Sequence, residues 1–446
     1  MVADPRASVR DRFEEALARM AIGPGQVLVA VSGGADSIAL LDLFAAAAAT
    51  RGFLLRVVHF DHGIDPASAD VAHRVQRLAD RYGLPTEFGE GQLGESASET
   101  IARRARLRWF RGLLLHYRPA VLATGHHADD QVETVLMRFL KGSGPAGLAG
   151  IAERRGDFIR PLLRVPRAEL TAYVDRLGIT AWSDPANQDP RHLRSWLRTE
   201  VLPRIESRLP AFRQGLLTAR RRFEAERDGW DHLAKELPLL DFRAEREAVS
   251  VAASPLVGYS SAVVRALLKA LGRQAGVGLG EGSVDRLQHL LAHGDTGQSV
   301  DLVRGMKAEL SFGRLRLFGL GEHLDPGLTI DSPAGSAILG PWAIDWDFGG
   351  APEHLERTGY RTWVDPSAPV RVRAWRPGDR VRPIRGRGAR LVVRCMQEEK
   401  VPRSRRPDWP VVEHLGSVVW VPGVCRSEAL VPAPGTRARR IDVRPS

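Results

Sequence analysis

The chain has 446 residues, of which 43% are hydrophobic and 26% are charged, as is typical of a globular protein with more than one domain. No apolar run approaches the roughly 20 residues that a membrane-spanning helix needs, and the N-terminus lacks a signal-peptide core, so we expect a cytoplasmic protein without membrane contact. The formal net charge is +11, which favours a polyanionic partner.

The first 200 residues alternate short apolar runs with longer helical patterns. Strands are predicted over 27–31, 54–60 and 120–124, and helices over 36–49, 68–82, 97–117 and 129–141. Strands separated by helices predict βαβ units and an α/β fold with a doubly wound parallel sheet. In such sheets ligands bind at the carboxyl ends of the strands, which directs attention to the residues that follow each strand.

The first strand is followed by a short polar loop that opens a helix. Its residues are Ser32, Gly33, Gly34, Ala35, Asp36 and Ser37. Glycines at a strand-to-helix junction leave backbone N–H groups and the helix N-terminus facing one point, which suits phosphate. The Walker pattern GxxxxGK[ST] is absent from the chain, and the loop is not GxGxxG. The alternative is a Ser/Gly helix cap that binds nothing. The pattern SGGxDS resembles the pyrophosphate loop of the PP-loop ATP pyrophosphatases, which implies ATP binding at these six residues.

Acidic residues follow the third predicted strand, in the stretch HHADDQVET. Asp130 and Glu133 are three residues apart and share one face of the predicted helix, so with Asp36 they could form a carboxylate cluster near the loop. His126 and His127 precede this helix and could contact ATP or a base. The alternative is structural, because acidic residues in a first helical turn are stabilised by the helix dipole. We predict that Asp129 is a cap and that Asp130 and Glu133 are functional.

Arginines in the same N-terminal part could contact phosphate. Arg106 lies on the predicted helix 97–117, and Arg194 and Arg198 are four residues apart, so they share a helix face. After Pro210 the pattern changes: 213–247 is charged and helical, 261–293 contains a helical pair, and 299–320 alternates as in a small sheet. This part predicts a mainly helical middle domain.

The C-terminal part is basic. Residues 371–446 contain 18 Lys and Arg against 7 Asp and Glu, an excess equal to the net charge of the whole chain. Such a concentration favours nucleic-acid contact, although solvated arginines are an alternative because only 5 of the 64 basic residues are Lys. Short apolar runs such as SVVWVPGV predict a small β-rich or α+β domain. The candidate phosphate contacts are Arg376, Arg380, Arg382, Arg385, Arg387 and Arg390. We predict domains over 1–212, 213–322 and 360–446.

Several further stretches narrow the PP-loop resemblance. They are HFDHGI (59–64), SETIARRARLRWF (98–110), ATGHHADDQVETVLMRFLKGSGPAGLAGI (123–151) and DPANQDPRHLRSWLRTEVLP (184–203). Together with RAWRPGDRVRP and the late KVPR of the C-terminal part, they resemble the bacterial tRNA(Ile)-lysidine synthetases. These enzymes use ATP to adenylate the C2 oxygen of the wobble cytidine of tRNA(Ile) with a CAU anticodon. The amine of free L-lysine then displaces AMP, which changes the tRNA from methionine to isoleucine specificity.

The resemblance implies roles for the residues already singled out. It assigns Asp36, Asp130 and Glu133 to Mg²⁺ and lysine binding, with Asp36 and Asp130 as the metal candidates. It places ATP at the loop, Arg106 and His126, and tRNA at Arg194, Arg198 and the C-terminal arginines. It also implies a monomer or a homodimer.

Other functions remain as alternatives. A PP-loop tRNA thiolase generally needs cysteines near its site, yet the chain has only Cys395 and Cys425 and no CxxC, which also argues against a zinc ribbon or an iron–sulfur cluster. Two buried thiols are favoured, and a disulfide between them stays open. Amidating relatives give no reason for the basic C-terminal part. A non-catalytic RNA-binding protein with a decayed loop is the alternative from another class.

Overall fold

The computed structural model describes residues 8–63, 68–91, 99–182, 193–245, 248–319, 327–367, 369–386 and 388–445. The chain divides into two compact units, Met1–Arg227 and Asp228–Ser446. No helix among the described residues is long and apolar enough to cross a bilayer.

The first unit is built on a mainly parallel sheet. Its strands are β1 (Gly25–Ala30), β2 (Phe53–Asp61), β3 (Thr86–Glu90), β4 (Ala120–Ala123), β5 (Arg154–Arg155) and β6 (Phe158–Ile159). The strand order is β3-β2-β1-β4-β6-β5, and every neighbouring pair is parallel except β5 and β6. Strand β3, which was not predicted, is short and only its Gly89 is buried. The predicted α/β class with a doubly wound parallel sheet is confirmed.

Helices cover both faces of this sheet. They are α1 (Val9–Arg19), α2 (Ala35–Arg51), α3 (Ser68–Arg81), α4 (Glu99–His116), α5 (Ala128–Leu140), α6 (Pro145–Leu148), α7 (Arg167–Arg176), α8 (Leu193–Trp196), α9 (Leu202–Arg208) and α10 (Phe212–Glu236). Alternate residues of β1 enter different cores: Val27 and Val29 pack with the Phe44 side of the sheet, whereas Leu28 packs with Phe110 of α4. Burial on both faces explains the continuous apolar run of this strand.

The second unit begins within α10 and contains a small antiparallel sheet backed by helices. Its first elements are β7 (Arg243–Glu245), β8 (Ala248–Ala252), α11 (Ser254–Gly258), α12 (Ser261–Gln274), α13 (Glu281–His293), β9 (Gln298–Asp301), β10 (Met306–Ser311) and β11 (Arg314–Gly319). The strands run in the order β7-β8-β11-β10-β9. We call these elements the middle sheet and its helices. The helix predicted over 213–247 ends at Glu236, because Pro238 follows and the chain turns into β7.

The remaining elements form a β-rich region. They are β12 (Leu328–Ile330), β13 (Gly335–Leu339), β14 (Trp342–Gly350), β15 (Arg361–Val364), β16 (Val370–Ala374), β17 (Arg380–Val381), β18 (Arg390–Leu391), α14 (Val392–Glu398), β19 (Pro410–His414), β20 (Ser417–Val421), β21 (Cys425–Arg426) and β22 (Arg437–Pro445). Two larger sheets, β12-β16-β19-β20-β21 and β13-β14-β22-β15, share a core around Trp342 and Trp420. Cys395 and Cys425 are free, buried thiols in that core, as predicted.

Candidate active site

The loop between β1 and α2 is held by hydroxyl groups and one glycine. The backbone N–H of Ser32 donates to Ser37 Oγ at 3.1 Å, and Ser37 Oγ donates to the Gly34 carbonyl at 2.8 Å. Gly33 has φ +83°, a backbone conformation that residues with a Cβ rarely adopt. No side chain caps α2 at Gly34, so the N-terminus of this long helix is available to an anion. The loop geometry suits a phosphate group.

Gly125, which follows β4, touches this loop. A Cβ added at Gly125 would lie 3.1 Å from the backbone carbonyl carbon and oxygen of Asp36 and 3.2 Å from the N of Ser37. Glycine therefore allows the β4 loop to pack directly against the start of α2. Sequence reasoning missed Gly125; its position directly after a buried strand was the available signal.

A histidine links the carboxylates that were predicted to be functional. His127 Nε2 lies 3.4 Å from Asp36 Oδ2 and 3.5 Å from Asp130 Oδ2. His127 is also the N-cap of α5: its own N–H donates to Asp130 Oδ2 at 2.9 Å, and its Nδ1 accepts from the Asp130 N–H when the ring is neutral. Burial opposes protonation, but the hydrogen bond to Asp36 and the nearby Asp130 and Asp129 raise the pKa of His127. We had singled out His127 without giving it this role.

Glu133 lies at the centre of a second charged group. Its side chain is 1% exposed and accepts from Arg194 Nε at 2.5 Å and from Arg198 Nε at 2.6 Å. Arg194 also donates to Asp130 Oδ1 at 2.6 Å, so one guanidinium bridges Asp130 and Glu133 of α5. Burial opposes the charge on Arg198, but the Glu133 carboxylate raises the pKa of Arg198 above its ordinary value.

The other predicted residues near the cluster have distinct surroundings. His126 is in hydrogen-bond contact with Thr124 Oγ1 at 2.8 Å, and burial lowers the pKa of its ring, so it is neutral near pH 7. Asp129 caps a different helix than predicted: its Oδ2 accepts from the N–H of Arg167, and its Oδ1 pairs with Arg213. Arg106 is half-buried on α4.

Asp36 offers a carboxylate oxygen for a cation. Asp36 Oδ1 is buried and has no hydrogen-bond partner among the described residues. A buried, unsatisfied carboxylate oxygen is costly unless a ligand or ion completes it. No group of three His, Cys, Asp or Glu side chains arranged to hold a metal occurs among the described residues. Mg²⁺ usually binds one or two carboxylates together with substrate phosphates, and Asp36 Oδ1 could supply one such carboxylate oxygen. Both oxygens of Asp130 accept hydrogen bonds, from Arg194 and from the His127 N–H.

A buried ion pair lies in the same stretch of sequence as the C-terminal arginines. Arg373 is 4% exposed and donates to both oxygens of Asp379 at 2.9 Å and to Glu413 at 2.6 Å. Asp379 also accepts from the N–H of Arg376 at 2.8 Å. The RPGD turn is thus fixed internally, and it presents the arginines that follow it.

The candidate arginines differ in their partners. Arg380 and Arg385 are exposed and have no carboxylate partner among the described residues, whereas Arg382 lies 3.6 Å from Glu428 and Arg390 pairs with Glu398. Arg387 lies outside the described residues.

Comparison with known proteins finds a match for the N-terminal part of the chain and another for its C-terminal part. The PP-loop domain model matches residues 6–205, and the TilS substrate C-terminal domain model matches residues 370–443. The tRNA(Ile)-lysidine synthase of Symbiobacterium thermophilum is 32% identical, over 97% of this chain and 97% of that protein. Those of Solibacter usitatus and Pseudomonas aeruginosa are each 32% identical, over 89% and 94% of this chain and 92% and 95% of theirs. The chain belongs to the tRNA(Ile)-lysidine synthase family, as its sequence motifs predicted.

Proposed function

We propose that this protein ligates free L-lysine to C2 of the wobble cytidine in tRNA(Ile) with a CAU anticodon. The observation that carries the proposal is the juxtaposition of Asp36, at the start of α2, with the α5 carboxylates around His127. It joins an anion-binding loop to an acidic cluster, which is the combination needed for a nucleotide and a cationic amine. Nothing in the family comparison favours a thiolase or a non-catalytic RNA-binding protein.

The reaction has two steps. The cytidine C2 oxygen attacks the α-phosphorus of ATP, pyrophosphate leaves, and the base becomes adenylated. The lysine ε-amine then attacks C2 and forms the C2–N bond. The C2–O bond breaks, AMP leaves with the former C2 oxygen of the base, and the amine loses a proton. Asp36, Asp130 or Glu133 is the proposed acceptor of that proton, because their carboxylates form the acidic cluster.

The loop Ser32, Gly33, Gly34, Ala35, Asp36 and Ser37 is proposed to hold the ATP phosphates, with Arg106 and His126 as further ATP contacts. Asp36 and Asp130 would hold Mg²⁺, which neutralises charge on phosphate oxygens. A neutral His126 suits a base or a ribose contact, because it does not compete with Mg²⁺ for the cluster.

The tRNA must present an unpaired cytidine, since a stacked base hides its C2 oxygen. Arg194 and Arg198 each use Nε and one terminal nitrogen on the carboxylates, which leaves the other terminal nitrogen for a phosphate near the anticodon. The C-terminal arginines, Arg387 included, are proposed to contact phosphates elsewhere on the tRNA. Such contacts contribute affinity rather than sequence choice.

The test is an assay with Mg-ATP, radiolabelled lysine and the CAU-anticodon tRNA(Ile). We expect wild type to incorporate lysine, Asp36→Ala to fail, and Asp175→Ala, an exposed carboxylate change on α7, to match wild type. AMP formation without lysine incorporation would favour another PP-loop tRNA modification, such as thiolation. If neither AMP nor modified tRNA forms but the protein still retains the tRNA in filter binding, the result would favour a non-catalytic RNA-binding protein.

Free lysine and tRNA occur together in the cytoplasm, which is the proposed location. A homodimer is the proposed alternative to a monomer, and light scattering of the purified protein distinguishes the two.

A further inference from the structure

The central strands of the middle sheet, β8, β10 and β11, have buried residues on both faces, but the two faces differ in chemistry. Ala308, Leu315 and Leu317 point to the apolar core that contains α12 and α13. The opposite face carries polar side chains that are also buried: Ser250 at 6%, Glu309 at 2%, Ser311 at 4% and Arg316 at 9% exposure. A buried polar face needs specific partners, since an unpaired carboxylate or guanidinium there is strongly destabilising.

Glu309 finds its partners in the backbone of the β-rich region. Its Oε1 accepts from the N–H of Arg403, and its Oε2 accepts from the N–H of Ser404, each at 2.9 Å. These residues begin a 3₁₀ segment, Arg403–Asp408, whose first residue is also the last residue of the KVPR motif. The motif was recognised from sequence without a role. In the structure its last residue is where the carboxylate of the middle sheet attaches.

Two arginines reinforce this contact. Arg316 lies opposite Glu309 across the β10–β11 pair and donates to Ser404 Oγ at 2.7 Å and to Glu245 at 2.9 Å. On the other side, the guanidinium of Arg405 lies 5.7 Å from the ring centroid of Trp342 and 5.2 Å from that of Trp409. One short segment therefore joins the polar face of the middle sheet to the aromatic core of the β-rich region.

We propose that Glu309 is a positioning residue for tRNA binding: it fixes the β-rich region, with its phosphate-contacting arginines, to the middle sheet. The inference rests on the proposed function, because it assumes that the C-terminal arginines and the catalytic domain hold the same tRNA. When one ligand is held at two places, its affinity depends on how firmly the two are connected. Loosening the Glu309 attachment then weakens tRNA binding without altering the chemical step.

The experiment compares Glu309→Gln with wild type in steady-state lysine ligation, using full-length protein and full-length tRNA. We expect the KM for tRNA to rise about fivefold, with kcat at saturating tRNA and the KM values for ATP and lysine unchanged. Loss of folded protein alone would instead lower kcat and leave the KM for tRNA as it was. The matched control is Glu281→Gln on α13, whose exposed carboxylate pairs with Arg265 and Lys269 and with no other basic side chain in the described part of the chain.

A second variant covers the case in which Glu309→Gln unfolds. Ser404→Ala removes only the hydroxyl that accepts from Arg316, and we expect a rise of about twofold in the KM for tRNA with unchanged kcat. An unchanged KM for tRNA in a folded Glu309→Gln protein overturns the proposal, as does an unchanged KM in Ser404→Ala when Glu309→Gln does not fold. Absence of lysine ligation by wild type contradicts the proposed function instead, and filter binding of the tRNA then tests Glu309 directly, with a fivefold weaker affinity expected.

Discussion

Arg198 donates to both carboxylate oxygens of Glu133, from Nε at 2.6 Å and from a terminal nitrogen at 3.1 Å. Glu133 is among the most deeply buried acidic groups of the first unit, and Arg194 shares it. The two arginines expected to hold tRNA phosphate are therefore also ion-paired with the carboxylate cluster. The residues proposed for catalysis and those proposed for RNA contact thus meet at the Glu133 side chain.

Glu133→Gln should destabilise the protein and abolish most of its activity. The variant leaves two partly buried guanidiniums with a neutral partner, and breaking a buried ion pair costs about 3 kcal/mol. We expect the free energy of unfolding in urea to fall by about that amount and lysine incorporation to fall about 100-fold. Arg198→Lys keeps the charge but loses the two-point contact, so its effect should be clearly smaller. If Glu133→Gln has the same free energy of unfolding as wild type, the ion pairs of Glu133 do not contribute to stability.

His127 should stabilise the protein in a pH-dependent way. The pKa of His127 is raised above its ordinary value of 6.5, because Asp36 and its neighbours favour the protonated ring. The protonated ring contributes fully to the free energy of unfolding below the unfolded-state pKa of about 6.5. This contribution is lost as the pH rises through the folded-state pKa. The difference in unfolding free energy between wild type and His127→Gln should be about 2 kcal/mol at pH 5.5 and shrink at higher pH.

The matched control for that series is His73→Gln, which changes an exposed histidine of α3. Its difference from wild type should stay near zero across the same pH range. A His127→Gln difference that grows with pH would contradict the assignment.

Gly125→Ala should weaken ATP binding. The added methyl would press on the backbone of Asp36 and Ser37 at 3.1–3.2 Å and displace the loop. We expect an increase of about tenfold in the Kd for Mg-ATP, measured by calorimetry. Gly112→Ala is the control, since nothing lies within 4 Å of a Cβ there and alanine is the better helix former. If Gly125→Ala binds Mg-ATP as tightly as Gly112→Ala does, the close packing of Gly125 on the backbone of Asp36 and Ser37 is not needed for ATP binding.

Asp379→Asn should destabilise the second unit. Asparagine keeps a single acceptor oxygen, so the buried Arg373, 4% exposed, would lose the negative charge of its partner and at least one of its two bonds, and with an NH₂ group at the Oδ2 position the Arg376 N–H would lose its acceptor. We expect a loss of about 3 kcal/mol in unfolding free energy and weaker tRNA binding, with ATP affinity unchanged. Glu398→Gln, which breaks an exposed pair with Arg390, should leave stability as in wild type.

The C-terminal arginines should differ in their contribution to salt-dependent binding. Arg380 and Arg385 are exposed without carboxylate partners among the described residues, so replacing either with Ala should reduce the slope of log K against log salt by about 1. Arg390→Ala should change the slope less, because Arg390 already pairs with Glu398. Filter binding over a salt series measures all three, and equal slopes for wild type and Arg380→Ala would remove Arg380 from the interface.

The sequence by itself determined the α/β class, the position of the phosphate loop and the family. Strand-helix alternation and SGGADS are local patterns, and local patterns can be recognised without knowledge of the tertiary contacts. The element bounds are less local: β3 lacks a strong apolar pattern, and the helix beginning at Phe212 ends earlier than its charge pattern suggested.

Only the tertiary structure decided which charged groups meet. Arg194 and Glu133 are 61 residues apart in sequence, and Glu309 and Arg403 are 94 apart, so no periodicity relates them. Asp129 was expected to cap its own helix, yet it caps α7 because the fold brings Arg167 to it. The physical reason is that side-chain hydrogen bonds act over about 3 Å in space, whatever the separation along the chain.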